Sequence, residues 1–152
     1  MTAPAMLTPD VNVLVAAFHQ DHVHHRMARR WLIDSLAACA RGERLHLLPM
    51  ASTSFVRIVT HGKVFSQPAT AAQATAFIDA LLRVPGCDWL TLGSEWPAFA
   101  RLCSANQLAG NAVQDAWIAM AVRQHACHLV TFDRDFAGLL DPREFTLLTP
   151  QR

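Results

Sequence analysis

The chain has 152 residues, 13 Lys and Arg against 12 Asp and Glu, a formal net charge of +1, and 52% hydrophobic against 16% charged residues. That length and apolar content suit one domain, residues 1–152, around a single core, and exclude a disordered chain. The balanced charge excludes a global basic field, so any contact with nucleic acid has to come from local patches.

In chain order, the opening MTAPAMLTPD lacks the basic and apolar regions of a signal peptide. No apolar run nears the roughly 20 residues of a membrane span. A first strand, Ala5 to Pro9, runs straight into Asp10, and a helix follows from about Asn12 carrying Val13, Leu14, Ala17 and Phe18. A second helix covers His24 to Ala40, with Met27, Trp31, Ile33 and Leu36 on its buried side. Arg44 to Met50 (RLHLLPM) reads as a strand ending in Ser52-Thr53-Ser54, whose hydroxyls are natural N-caps for a helix bearing Phe55, Ile58 and Val59. Gly62 stops that helix. Thr70 and Gln73 form a capping-box pattern that opens a helix through Leu82, before Pro85-Gly86 breaks it.

Asp88 to Leu92 is a third strand, and Ser94 caps a helix reaching about Leu108. Asn111 to Gln114 repeats the capping-box pattern and opens the helix of Asp115, Ile118, Ala119 and Val122. Strands at His128 to Phe132 and Phe145 to Thr149 complete the set. Short apolar runs alternating with helical patterns predict an α/β fold, a central, mostly parallel sheet of about five strands flanked by helices. The widely spaced Cys39, Cys87, Cys103 and Cys127, with no CxxC pair, read as free thiols of a cytoplasmic protein.

The aspartates fall where such a sheet binds ligands. Asp10 and Asp133 each end a strand at its carboxyl side, where the crevice of an open parallel sheet lies. If those strands are neighbours, their end residues stand about 5 Å apart. Asp115 sits in the first turns of its helix and faces the same end. Asp135, two residues past Asp133, shares its side if the chain stays extended. Converging carboxylates repel unless a divalent cation neutralises them, and hard oxygen ligands select Mg²⁺ or Mn²⁺. Such an ion activates water and stabilises charge on a phosphodiester. Read singly, each aspartate also works as a helix cap or a first-turn residue.

LTPDVNVLVAAF, NAVQDAWIAMAV and HACHLVTFDRDF resemble the PIN-domain family, and within it the toxins of VapBC toxin–antitoxin modules; DHVHHRMARRWL and SFVRIVTHGKVF resemble a subgroup of these toxins. The resemblance implies a PIN fold, a Mg²⁺-dependent endoribonuclease of tRNA or mRNA, a homodimer, and a VapB-like antitoxin that wraps and inhibits it. It puts the acids of the site on Asp10, Asp115 and Asp133, with Asp135 as an accessory and Thr8 and Asn12 as polar neighbours. One acid is missing. Aligned on Phe55-Val-Arg57, the place of the family's usual Glu falls on Ser52, while Glu43 lies at the far end of the preceding strand. The rival is therefore a non-catalytic PIN-like module that binds RNA or a protein partner. An aspartyl-phosphate phosphatase is disfavoured, because the position two beyond Asp10 is Asn12, which is no general acid.

His19, His22, His24 and His25 read as a polar loop leading into a helix, with a soft-metal site as the alternative. Arg26, Arg29 and Arg30 share a helical face, solvated or touching phosphate. Arg57, His61 and Lys63 are candidates for an RNA path. Trp31, Phe55, Phe77 and Trp117 are core candidates, or the walls of a groove for an antitoxin helix.

Overall fold

A computed structural model describes residues 6–149. The elements are β1 (Met6–Pro9), α1 (Val11–Phe18), α2 (His25–Cys39), β2 (Arg44–Leu47), α3 (Pro49–Val59), α4 (Ala71–Leu82), β3 (Cys87–Trp89), α5 (Trp96–Asn106), α6 (Asn111–Gln124), β4 (His128–Thr131) and β5 (Phe145–Leu147), with a 3-10 turn at Arg134–Gly138 between the last two strands. Ala5, predicted to open the first strand, lies outside the described residues, as do 1–4 and 150–152.

The strands form one sheet in the order β3-β2-β1-β4-β5, and every pairing is parallel. From β1 the chain winds outward through β2 to β3, then returns to lay β4 on the other side of β1. The strand order therefore reverses between β1 and β4, which opens a crevice past their carboxyl ends. Thr8 pairs with Leu129 and Pro9 with Val130, so Asp10 emerges directly beside the end of β4. Pro9 is the last residue of β1 and lies beyond the residues paired with β2, Met6 and Leu7.

The core lies against this sheet. Leu45 and Leu47 on β2 and Leu129 and Val130 on β4 are buried, as expected for parallel strands covered on both faces. Five consecutive α1 residues, Val13 to Ala17, are buried, so α1 is an interior helix without a polar face. Phe18 meets Phe55 and Phe77 edge-to-face at centroid distances of 5.4 and 5.2 Å, which ties α1 to α3 and α4. Of the four aromatic core candidates only Phe55 is fully buried; Trp117 is 40% exposed.

Several local expectations are corrected. The buried side of α2 is Ala28, Leu32, Ser35 and Ala38, with Met27, Trp31 and Leu36 half-buried beside it and Ile33 exposed. α3 begins at Pro49, whose missing amide costs nothing at a helix start. Ser52, Thr53 and Ser54 consequently lie inside the helix and do not cap it; Thr53 Oγ1 donates back to the Pro49 carbonyl at 3.0 Å. Ser94 does not cap α5, because Glu95 occupies that place and turns its carboxylate onto the Gly93 amide at 3.0 Å. The box at Asn111 does not form either: Gly110 precedes α6, and Gln114 reaches across to α3. The Thr70–Gln73 capping box is present in full.

Candidate metal centre

β1 delivers Asp10 to the crevice. Its amide donates to the Val130 carbonyl at 2.9 Å, continuing the β1–β4 ladder one residue past the strand. Its carboxylate caps α1 through Val11 N–H at 2.7 Å and accepts the Thr131 hydroxyl on its other oxygen at 2.7 Å. Asp10 is only 5% exposed, and burial raises its pKa, with the Thr131 and Val11 hydrogen bonds opposing the rise.

Thr131, fully buried at the end of β4, organises this corner. Besides donating to Asp10, its hydroxyl accepts the Asp133 amide at 2.9 Å and Asn12 Nδ2 at 3.4 Å. Asn12 returns the tie by accepting the Phe132 amide at 3.3 Å. One hydroxyl and one amide side chain thus pin the start of α1 to the end of β4. Of the two polar neighbours the resemblance implied, Thr8 and Asn12, Asn12 lines the cavity; Thr131 was not among them, since a threonine in a strand usually signals only β-propensity.

Asp133 caps the 3-10 turn, accepting the Asp135 amide at 2.8 Å. Because the chain turns there, the extended path that would have put Asp135 on the side of Asp133 is absent. Asp135 is exposed, although its charge still reaches Asp115. Asp115, half-buried in the second turn of α6, has its pKa pushed from 3.8 up to about 6. Desolvation is the main cause, followed by the charges of Asp10, Asp133 and Asp135.

Asp10, Asp115 and Asp133 line one cavity of about 630 Å³ with Asn12, Ser54 and Arg57. Arg57 takes part in no ion pair among the described residues. Among the described residues, three carboxylates thus meet one guanidinium in the cavity wall, and it forms no ion pair with them. Ser52 is 3% exposed, its hydroxyl has no partner, and it is not in the cavity wall. Ser54, two residues further and so about 200° around the helix, is the serine that α3 presents, held by Gln114 Nε2 at 2.9 Å. The start of α3 at Pro49 is the signal that would have found it. Glu43 precedes β2 at the opposite end of the sheet from the cavity.

Thr8 also points elsewhere, its hydroxyl strapping β1 to β2 through the His46 carbonyl at 2.7 Å. Lys63 is exposed in the turn after α3 and does not line the cavity. The four histidines are held by different contacts, His22 and His24 also by each other. His19 stacks on Phe65 at 4.0 Å, His22 Nδ1 accepts the His24 amide, His24 stacks on Phe132 at 4.8 Å, and His25 Nδ1 meets the Ala16 carbonyl at 2.8 Å. No soft-metal cluster forms among the described residues.

The three carboxylates are hard donors of the kind a divalent cation takes, and burial first, then neighbouring carboxylates, raises the pKa values of Asp10 and Asp115. Among the described residues no three acidic, His or Cys side chains close into a complete cage.

Fold and cavity together define a parallel α/β domain with an acidic pocket at its switch point. The sequence matches the PIN domain over residues 7–139, and the chain belongs to that family. Among its relatives is Ribonuclease VapC25 of Mycobacterium tuberculosis, 33% identical over 139 residues that span 91% of this chain and 96% of the relative. VapC ribonuclease Mb2897 of Mycobacterium bovis is 35% identical over 133 residues, 87% of this chain and 88% of the relative. Two solved structures share the fold at low identity. VapBC2 from Rickettsia felis, bound to a DNA fragment from the promoter, aligns with a TM-score of 0.61 and 14% identity over 92% of this chain and 96% of that one. Mycobacterium tuberculosis VapC20, a sarcin-ricin loop cleaving toxin, aligns at 0.57 and 16% over 90% and 98%.

Proposed function

We propose that this chain is the endoribonuclease toxin of a VapBC-type toxin–antitoxin pair, folded as one PIN domain and dependent on Mg²⁺ or Mn²⁺. The observation that carries the reading is the convergence of Asp10, Asp115 and Asp133, from three separate stretches of chain, on one cavity, with no ion pair to any of them among the described residues. The relatives at 33–35% identity, all called ribonucleases, support the choice of RNA.

Asp10, Asp115 and Asp133 are the residues that would hold the cation, with Asp135 contributing charge from outside the cavity. When bound, the cation supplies positive charge for the phosphate and lowers the pKa of water. The chain's own part is preorganisation. Thr131 and the Val11 amide fix both oxygens of Asp10, so its carboxylate does not swing on binding. Asn12 and the Asp133 amide hold Thr131 in turn, which keeps Asp133 at a set distance from Asp10. Asp115, its pKa raised to about 6 by burial and by the neighbouring carboxylates, would be favoured in its ionised form by a bound cation. Arg57 on the cavity wall is positioned to meet a substrate phosphate.

The wider reading is that the protein acts in the cytoplasm as a homodimer, with a VapB-like antitoxin as its inhibitor. No helix among the described residues is long and apolar enough to cross a membrane. The rival, a non-catalytic module, draws on one observation: α3 offers the cavity Ser54 and no carboxylate. Incubating purified protein with labelled tRNA and mRNA in Mg²⁺, Mn²⁺ or EDTA separates the two. Metal-dependent cleavage by the wild type, lost in Asp10→Asn and Asp133→Asn, is expected. Equal inertness of all three proteins would favour the binding module.

A further inference from the structure

We infer that a groove along the start of α2 takes the sugar–phosphate backbone of the RNA strand on one side of the cleavage site. The inference rests on the ribonuclease reading and deepens it. The groove encloses about 1020 Å³, and its wall includes Arg26, Arg29, Arg30, His24 and His25, with no carboxylate among the described residues. Arg30 shares its charge with Asp34 at 3.4 Å, but Arg26 and Arg29 have no acidic partner among the described residues. Two unpaired guanidiniums in a concave wall are suited to phosphates.

Two neighbouring histidines connect the walls of the groove and the acidic cavity. His22 lines the cavity and His24 lines the groove, their rings are 5.7 Å apart, and the His24 amide donates to His22 Nδ1 at 3.0 Å. The His24 ring stacks on Phe132, the residue before Asp133. A strand leaving the carboxylates therefore crosses a stacked aromatic pair, against which a base can lie, before reaching the arginines. Val23, 85% exposed, and Ile33, 45% exposed, give the groove an apolar margin for base faces. This proximity to the cavity favours RNA over an acidic polypeptide, which the arginines alone would also accept.

The test is fluorescence anisotropy in EDTA with a labelled 2′-O-methyl RNA of roughly 16 nucleotides, a length that spans a typical single-strand site and resists cleavage. Wild type, Arg26→Gln/Arg29→Gln and Arg26→Lys/Arg29→Lys are compared across a salt series, with circular dichroism to verify folding. The Gln pair is expected to bind at least tenfold more weakly, with a salt slope shallower by about 1.4, which is about 0.7 for each of two phosphates no longer neutralised. The Lys pair is expected to keep most of both. Unchanged affinity and slope in the Gln pair overturn the groove, as does failure of the wild type to bind. If the Gln pair binds RNA normally but loses a poly-glutamate peptide that the wild type holds, the groove belongs to an acidic protein partner and the RNA assignment falls. Cleavage of the unmodified RNA, measured in parallel with Mg²⁺, keeps the two readings apart. A wild type that binds but never cuts sinks the nuclease reading alone, and one that cuts while the Gln pair binds unchanged sinks the groove alone.

Discussion

Asp115→Asn is expected to stabilise the metal-free protein while destroying its activity. The change is nearly isosteric and removes one negative charge from a cavity where three converge. In the folded chain the Asp115 pKa stands near 6, against 3.8 for an unperturbed carboxyl. Between those two values the folded state holds more protons than the unfolded state, so stability falls as pH rises through that window and stays lower above it. At about 1.4 kcal/mol per pH unit the upper bound on the cost is roughly 3 kcal/mol. Screening by the solvent that reaches this half-buried group reduces it to about 1–2 kcal/mol. Asparagine is neutral throughout and escapes the cost. In EDTA at pH 7.5 the variant should therefore melt about 2–8 °C above the wild type for a domain of this size. At pH 3.5, where Asp115 is protonated in both states, the gap should close. Adding Mg²⁺ should raise the wild-type midpoint more than the variant's, because the cation binds only the folded wild-type site strongly. Urea unfolding in EDTA at both pH values measures the first pair of outcomes, and calorimetry with Mg²⁺ the third. A variant no more stable than wild type at pH 7.5 would refute the idea that burial and the neighbouring carboxylates make the ionised Asp115 costly to hold.

Thr131→Val should cost about 2–4 kcal/mol, since it deletes a hydrogen bond to a buried carboxylate and strands the Asp133 amide. Thr131→Ser keeps the hydroxyl and should recover most of that loss in urea unfolding. Gly86→Ala should destabilise by about 2–4 kcal/mol, because φ is +92° and the new Cβ would stand 2.8 Å from Cys39 Cβ; equal denaturation midpoints would count against it. In the native protein Cys87, buried with its pKa pushed up to about 12, should resist a disulfide-exchange reagent at pH 8 and react only after unfolding.

Much of this molecule is written locally. The position of Asp10 follows from a strand that stops at a proline and a helix that starts at once, since that junction needs a capping side chain. Asp133 follows from an apolar run ending in a turn, and Asp115 from its place early in a helix. The Thr70–Gln73 box is legible for the same reason: both its hydrogen bonds close within four residues. Where two local signals compete, the reading slips. The serines after Pro49 resemble caps, but proline at the first helical position starts α3 sooner and turns Ser54, not Ser52, toward the cavity.

What no local pattern carries is the order of strands. Hydrophobic runs of similar length and composition leave the neighbours of each strand open, because burial is indifferent to which apolar strand provides it. Only the folded chain brings β4 beside β1, and with it the contacts of Thr131 and Asn12 that span 119 to 121 residues. The meeting of the acidic cavity with the α2 groove, through His22 and His24, depends on the same packing. The sequence by itself therefore determined which carboxylates sit at strand and helix ends and that they share one edge of the sheet. The tertiary structure decided which side chains hold them, which serine faces them, and where a basic path leads away, since those depend on contacts between segments that folding alone makes adjacent.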